Sequence, residues 1–302
     1  MEQHQNLTAR LQAAGIACRE QESLATHTTF KIGGPAAVFV QPADEAQLCQ
    51  AVRLCRELAV PCYLLGNGSN ILFGDRGYAG AVVSLAGMKG EVRREGDTLT
   101  APAGMPLSVL CTAALRAGLT GLEFAYGIPG TVGGTVYMNA GAYGGEMKDV
   151  LLSVRYLTAE GQIEEAPAAE LDLGYRHSVF ESNGGCILSA AVRLAPGNPE
   201  AIAARMDDLM GRRRDKQPLD KPSAGSTFKR PVGAFAGALI EQCGLRGYRH
   251  GGAAISEKHC GFVVNLGGAT CADVLALCAE VQKIVKDQTG FTLEKEIRVV
   301  EL

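Results

Sequence analysis

Between Gly127 and Gly145 the chain carries seven glycines in nineteen residues, against 38 in all 302. Only glycine turns a backbone freely through positive φ, or brings it against a ligand with no Cβ in the way. The surrounding stretch, 121–146, is not a flexible linker. Ile128, Val132, Val136, Tyr137 and Met138 punctuate it with groups that need burial. Two structures satisfy such a pattern. One is a tightly packed connection between domains. The other is a backbone cradle whose successive N–H groups hold a phosphate or pyrophosphate.

Length and charge narrow the class. A chain of 302 residues is long for one core and predicts two or three domains. A formal net charge of −3 suggests no nucleic-acid surface and no acidic tail. The polar start, Met1-Glu2-Gln3-His4-Gln5, shows no signal region. No apolar run is long enough to span a bilayer. These features predict a soluble cytoplasmic protein. The ten cysteines include no C-x-x-C pair and read as small buried hydrophobes. Five scattered histidines offer no metal-ligand spacing, and no metal is expected.

Along the chain, residues 5–18 predict a short helix, and Thr28-Thr29-Phe30-Lys31-Ile32-Gly33-Gly34-Pro35 a glycine turn leading into a strand over 37–40. Leu48, Val52, Cys55 and Leu58 recur at helical spacing over 44–58, before Pro61. A strand over 62–65 then enters Gly66-Asn67-Gly68-Ser69-Asn70-Ile71. This segment lacks the third glycine and the following helix of a dinucleotide fingerprint. It reads either as a phosphate-binding loop or as a plain turn. Strands are predicted over 81–85 and 98–103, a helix over 106–117, a hairpin over 150–165 and a strand over 186–194.

After the hinge Pro196-Gly197-Asn198-Pro199, a helix over 200–210 runs into Arg212-Arg213-Arg214-Asp215-Lys216. That run is either a solvated helix end favoured by the dipole or a counter-charge for a phosphorylated substrate. Helices are predicted over 234–243 and 273–287, with a strand inside 257–265. The last strand, over 291–300, places Phe291, Leu293, Ile297 and Val299 on one face, interrupted by Lys295, and Thr292, Glu294, Glu296 and Arg298 on the other. The polar face is either solvated or points a carboxylate into a cleft.

Taken together, these motifs resemble the UDP-N-acetylenolpyruvoylglucosamine reductase (MurB) family. The likeness rests on T-T-F-K-I-G-G-P-A at 28–36, G-N-G-S-N-I-L at 66–72 and G-I-P-G-T-V-G-G-T-V-Y-M-N-A-G-A-Y-G at 127–144. It continues through G-Y-R-H-S-V-F at 174–180, A-G-S-T-F-K-R-P at 224–231, S-E-K-H-C-G-F at 256–262 and E-I-R-V-V at 296–300. The short segment between Val150 and Tyr175 is similar to the type II form, which lacks an extra substrate-covering loop.

The resemblance implies an α+β fold. Two FAD-binding subdomains of the vanillyl-alcohol-oxidase/PCMH type are expected over 1–82 and 83–198, and a C-terminal α+β substrate-binding domain over 199–302. The last strand, 291–300, is free to return to the cleft. It implies noncovalent FAD, NADPH as reductant, a UDP-sugar substrate, no nucleic-acid or membrane partner, and a monomer.

Carried over by position, Arg176, Ser226 and Glu296 match the catalytic residues. Lys31, Gly33, Gly66, Asn67, Gly68, Ser69, Asn70, Gly127, Pro129, Gly130, Gly133, Gly134, Asn139, Ala140 and Gly141 match the cofactor loops. Tyr175, Lys216, Lys229 and Arg230 are the expected substrate contacts, although some members have asparagine at the position of Arg230.

The implied reaction is reduction of the enolpyruvyl ether of UDP-N-acetylglucosamine to UDP-N-acetylmuramate. Arg176, permanently cationic and planar, suits the charge that develops beside the substrate carboxylate. Glu296 aligns Arg176 or hydrogen-bonds that carboxylate, and Ser226 donates the proton. Two other classes compete. A flavin-dependent oxidase or dehydrogenase of an alcohol or lactone needs a base, for which His177 is the candidate. A non-catalytic nucleotide-binding module explains the glycine loops but leaves Arg176, Ser226 and Glu296 without a purpose.

Overall fold

Some helices in this chain begin where a side chain accepts from a first-turn N–H. Asp44 accepts from Gln47 N at 2.9 Å and starts α2, Glu45–Glu57, a cap of the kind that contributes about 1 kcal/mol. Leu48, Ala51, Val52 and Cys55 then fall on its buried face. The last helix, Cys271–Thr289, has the fullest set of end signals. Thr270 and Asp273 cap each other's backbone, and Gly290 closes the helix at φ +77°. Asp75 accepts from Cys271 N at 2.7 Å and Ala272 N at 3.0 Å at the same terminus. The computed structural model describes residues 2–88 and 90–301, and the fold is α+β.

The chain divides into two compact units. The first comprises residues 1–20, 38–67 and 81–213, and the second 21–37, 68–80 and 214–302. A four-stranded sheet, lying mainly in the first, has the order Ala17–Ser23, Pro35–Gln41, Tyr78–Ser84, Cys62–Leu65. Its last pair is parallel, and the segment that joins the two strands, 66–77, holds the strand Ile71–Phe73 and no helix. A five-stranded antiparallel sheet follows in the order Ile163–Pro167, Leu151–Leu157, Cys186–Arg193, Thr98–Pro102, Arg93–Glu95. Helices α1 (Glu2–Ala13), α2, α3 (Leu107–Arg116) and α4 (Val132–Tyr137) pack into this unit. So does most of α5 (Pro199–Lys216).

The second unit has its own core. Phe30, Ile32, Leu72, Phe228, Val263, Leu277, Val281, Leu293 and Ile297 lie in one buried cluster with α6 (Ala236–Gln242) and α7 (Cys271–Thr289). Its sheet is antiparallel, in the order Arg249–His250, Ala253–Ile255, Val263–Asn265. Arg298–Val300 pairs in parallel with Ile71–Phe73. The ten-residue strand predicted over 291–300 is thus three residues long as a regular strand. Lys295 instead forms an isolated bridge to Phe228.

One further feature agrees with expectation and one departs from it. Seven of the ten cysteines are buried among apolar neighbours. The glycine stretch, by contrast, contains a helix that periodicity did not announce, α4. Its early glycine, Gly133, lies so close to the sheet that a Cβ there would sit 2.7 Å from Ala103 Cβ and 3.2 Å from the Ala103 carbonyl. Close approach, not loop flexibility, requires that glycine.

A paired substitution tests this reading. Gly133→Ala should destabilise the chain by about 1–3 kcal/mol through overpacking. Gly211→Ala, in α5 with nothing within 4 Å of its built Cβ, should stabilise it by about 0.5–1 kcal/mol. Urea midpoints measure both, and two shifts of the same sign would refute the packing argument.

Candidate active site

The N-terminus of α4 looks at first like an anion site, but its donors are already engaged. Val132 N donates to Met105 O at 2.8 Å, and Gly133 N to Ala103 O at 2.8 Å. Thr131 accepts from Gly134 N at 3.3 Å through Oγ1 and from Thr135 N at 2.9 Å through its carbonyl. The free donors lie in the other glycine loop. Among the described residues, the amides of Asn67, Gly68 and Ser69 donate to no protein group.

That loop is held close to its surroundings. A Cβ on Gly66 would lie 2.7 Å from Thr131 Oγ1, and one on Gly68, at φ +60°, would lie 2.3 Å from His27 O. Asn67 Nδ2 donates to Pro129 O at 2.7 Å and ties the loop to the second glycine stretch. Three successive uncommitted N–H groups, the middle one on a close-approach glycine, are donors of the kind that a pyrophosphate takes. The residues present therefore fit a dinucleotide cofactor such as FAD.

The second glycine stretch also builds the seat of Arg176. Gly174 and His177 exchange backbone hydrogen bonds of 3.1 and 3.3 Å around Tyr175 and Arg176, and Arg176 stands at φ +54°. A non-glycine residue in that region is strained and persists only where its surroundings hold it. The chief brace is Asn139, fully buried and itself at φ +38°. Its Nδ2 donates to Gly174 O and Glu146 Oε2, both at 2.8 Å, and its Oδ1 accepts from Lys148 N at 2.9 Å. Ser178 Oγ adds a bond to Tyr137 O at 2.7 Å. Arg176 Nη2 reaches Gly141 O at 3.3 Å, and the guanidinium carbon lies 5.0 Å from the Tyr175 ring centre. His177 faces Glu181 at 2.7 Å and Asp172 at 3.1 Å, so neither ring nitrogen presents a free lone pair to a substrate.

Ser226 and Glu296 belong to the second unit. The segment around Ser226 is pinned on both sides. Thr227 N donates to Gly261 O at 2.8 Å, and Thr227 Oγ1 accepts from Val263 N at 2.9 Å. Glu296 N donates to Thr227 O at 2.8 Å, and Lys229 N to Glu294 O at 2.7 Å, so the two catalytic candidates lie on adjacent paired segments. Asn70 Nδ2 donates to Glu296 O at 3.2 Å, and Arg298 N to Asn70 O at 2.9 Å. Ala224, Thr227 and Phe228 are buried, whereas Ser226, after Gly225 at φ +77°, is exposed. Its hydroxyl makes no hydrogen bond among the described residues.

The remaining candidates divide by what they touch. Lys31 stands at φ +59°, and a Cβ on Gly33 would lie 2.8 Å from Phe73 Cβ. Ala140 lies in the backbone path, donating to Thr135 O at 2.8 Å. A Cβ on Gly130 would lie 2.8 Å from Thr135 Cγ2, and one on Gly141 2.7 Å from Gly145 O. Lys229 pairs with Glu294 at 3.6 Å, Arg230 stacks 3.8 Å over Phe235, and Lys216 is exposed at the end of α5. Thr227 was not legible as a functional support. A threonine two residues before a lysine carries no signal until its hydroxyl is seen holding Val263. No group of three His, Cys, Asp or Glu side chains among the described residues is placed to hold a metal ion.

Comparison with known proteins gives this geometry its context. The family model for the FAD binding domain matches residues 36–166, and that for the UDP-N-acetylenolpyruvoylglucosamine reductase C-terminal domain matches 217–300. The UDP-N-acetylenolpyruvoylglucosamine reductase of Lachnoclostridium phytofermentans is 48% identical over 92% of this chain and 91% of its own. That of Clostridioides difficile is 47% identical over 92% of each. The crystal structure of the Thermus caldophilus enzyme superposes with a TM-score of 0.79 at 35% identity, covering 95% of this chain and 99% of that one. With near-complete coverage on both sides and both domains matched in order, the chain belongs to the UDP-N-acetylenolpyruvoylglucosamine reductase family.

Proposed function

We propose that this chain is a UDP-N-acetylmuramate dehydrogenase. It reduces the enolpyruvyl ether of UDP-N-acetylglucosamine to UDP-N-acetylmuramate, a peptidoglycan precursor, with NADPH as reductant and noncovalent FAD between them. The observation that carries this reading is Ser226: a hydroxyl without a protein partner, on a segment locked by backbone bonds to that of Glu296. The family membership supplies the substrate. We assign the first and second thirds of the chain, 1–82 and 83–198, to the cofactor and 199–302 to the substrate. We place the enzyme in the cytoplasm as a monomer without nucleic-acid or membrane partners. Among the described residues no helix is long and apolar enough to cross a membrane.

FAD, when bound, supplies the hydride. The chain's own residues manage charge and proton. Arg176 faces the substrate carboxylate, beside which negative charge develops, and a planar cation fits both its oxygens. Glu296 orients that pair or hydrogen-bonds the carboxylate. Ser226 gives its proton to the carbon alpha to the carboxylate. The resulting alkoxide is stabilised by Lys229, on the same segment, or by water. Asn67, Gly68 and Ser69 would hold the cofactor pyrophosphate on their amides, and Lys31, Gly33 and the glycine-loop candidates other than Gly133 and Asn139, which are engaged in packing and bracing, would line its path. Tyr175, Lys216 and Arg230 contact the sugar nucleotide. The competing oxidase reading is weaker, because the only base it can name, His177, is held between two carboxylates.

Two substitutions separate the roles. Arg176→Lys retains charge but loses the planar fork and enters a left-handed backbone position. Turnover should fall roughly tenfold or more, short of the 10²–10³ of deleting a donor outright, with FAD content unchanged. Unaltered turnover at saturating substrate would remove Arg176 from the catalytic set. Ser226→Ala should bind FAD and be bleached by NADPH at the wild-type rate, while reoxidation by substrate slows roughly 10²–10⁴-fold. Ser226→Cys should recover part of that loss. Stopped-flow absorbance of each half-reaction reads this directly, and slowed reduction with intact reoxidation would discard Ser226 as proton donor.

A further inference from the structure

Helix α5 buries a regular stripe. Ile202, Met206 and Leu209 are its buried residues, spaced at four and three. The next position of that stripe is 213, where the pattern calls for another apolar side chain. Arg213 stands there instead.

Its surroundings set it apart from the arginines beside it. Arg205 and Arg212 point outward and both pair with Asp208, at 2.8 and 2.9 Å. Arg213 turns inward against the glycine stretch: a Cβ built on Gly127 would lie 3.1 Å from Arg213 Cδ and 3.5 Å from Met210 Sδ, one helical turn earlier. Among the described residues Arg213 donates no hydrogen bond and makes no ion pair. Burial pulls its pKa below the ordinary arginine value, and the titratable group that opposes this is Tyr143, a phenol and not a carboxylate. A half-buried guanidinium without a counter-ion is a standing cost to the fold. Chains keep such a group where a ligand supplies the missing anion. Arg213 also lies outside both matched segments, 36–166 and 217–300, yet the residue it touches, Gly127, lies within the FAD-binding one.

We infer that Arg213 is a cofactor-binding residue, its guanidinium pairing with an anionic oxygen of FAD at the Gly127 side of the glycine stretch. The inference rests on the reading that the chain binds FAD. Two parts of the cofactor carry such an oxygen, the pyrophosphate and the reduced ring, and the shared chemistry is a charge-assisted bond from a pre-placed, desolvated cation. Gly127 lacks a Cβ so that the arginine stem can lie against the backbone.

The test compares wild type, Arg213→Met and Arg213→Lys as purified holoenzymes and after removal and return of FAD. Three readouts are needed: FAD affinity by fluorescence titration, the midpoint potential of bound FAD, and the melting temperature of the apoprotein. Arg213→Met should weaken FAD binding roughly 10–100-fold, the scale of a lost charge-assisted bond, and Arg213→Lys should recover most of it. The apoprotein of Arg213→Met should melt at or above the wild-type temperature, since an unpaired charge has been removed. A packing role would lower it.

If the partner is the pyrophosphate, binding of ADP to the apoprotein weakens in parallel and the midpoint potential stays put. If it is the reduced ring, ADP binding is unaffected and the potential falls, by about 30 mV for each tenfold selective loss. FAD affinity within twofold of wild type in both redox states overturns the inference. So does a loss confined to the UDP-sugar substrate. A wild-type protein that binds no flavin would sink the functional reading itself, a separate outcome.

Discussion

Asparagine side chains hold this protein's glycine-rich segments in place, and the candidate chemistry depends on them. Asn139 is buried, and its amide bonds fix the carbonyl of Gly174, the side chain of Glu146 and the amide of Lys148. Asn67 fixes the carbonyl of Pro129, and Asn70 that of Glu296. Regular sheet or helix cannot supply such bonds here, because the backbone turns through positive φ at Gly68, Asn139 and Arg176. An asparagine amide offers donor and acceptor together and tolerates left-handed backbone itself. Asn139 is fully buried, and leaving such a group unpaired costs about 1–3 kcal/mol, so that brace is strongly held.

The same accounting of partners separates residues that serve the fold from those that await a ligand. The donors at the start of α4 are satisfied by Ala103, Met105 and Thr131, so this helix end serves packing. His177 is satisfied by two carboxylates. The amides of Asn67, Gly68 and Ser69, the hydroxyl of Ser226 and the guanidinium of Arg213 have no protein partner among the described residues. Asn67 and Ser226 are exposed to water, whereas Gly68 is buried and Arg213 half-buried, where an unmet polar group is costly. Their combination matches what a flavin enzyme acting on an anionic sugar nucleotide has to bind.

The glycines themselves fall into two groups. Gly133 and Gly66 are glycine because another atom of the protein lies within 2.7 Å of where a Cβ would be. Gly134 meets only Thr131 Oγ1 at 3.3 Å, and Gly144, at φ +90°, meets nothing within 4 Å. Density of glycine in the sequence therefore says nothing about which positions serve packing and which serve a turn.

Local pattern determined the helices around 45–57, 107–116 and 271–289, and the strand Cys62–Leu65, because their signals lie within a few residues: an N-terminal cap, apolar spacing, a terminating glycine or proline. The motif order identified Arg176, Ser226 and Glu296 as candidates. Helix α4 was illegible, since two glycines in six residues oppose a helix and its first two amides are satisfied by the carbonyls of Met105 and Ala103, far back in the sequence. The regular strand at the end of the chain shortened to three residues because Thr227 and Phe228 take up the backbone pairing of Glu296 and Lys295. From sequence, Asn139 is placed among the cofactor-binding residues and Arg213 is read as part of a basic run. Their roles depend on Gly174 and Gly127, 35 and 86 positions away, and contact between such positions is decided by tertiary packing alone.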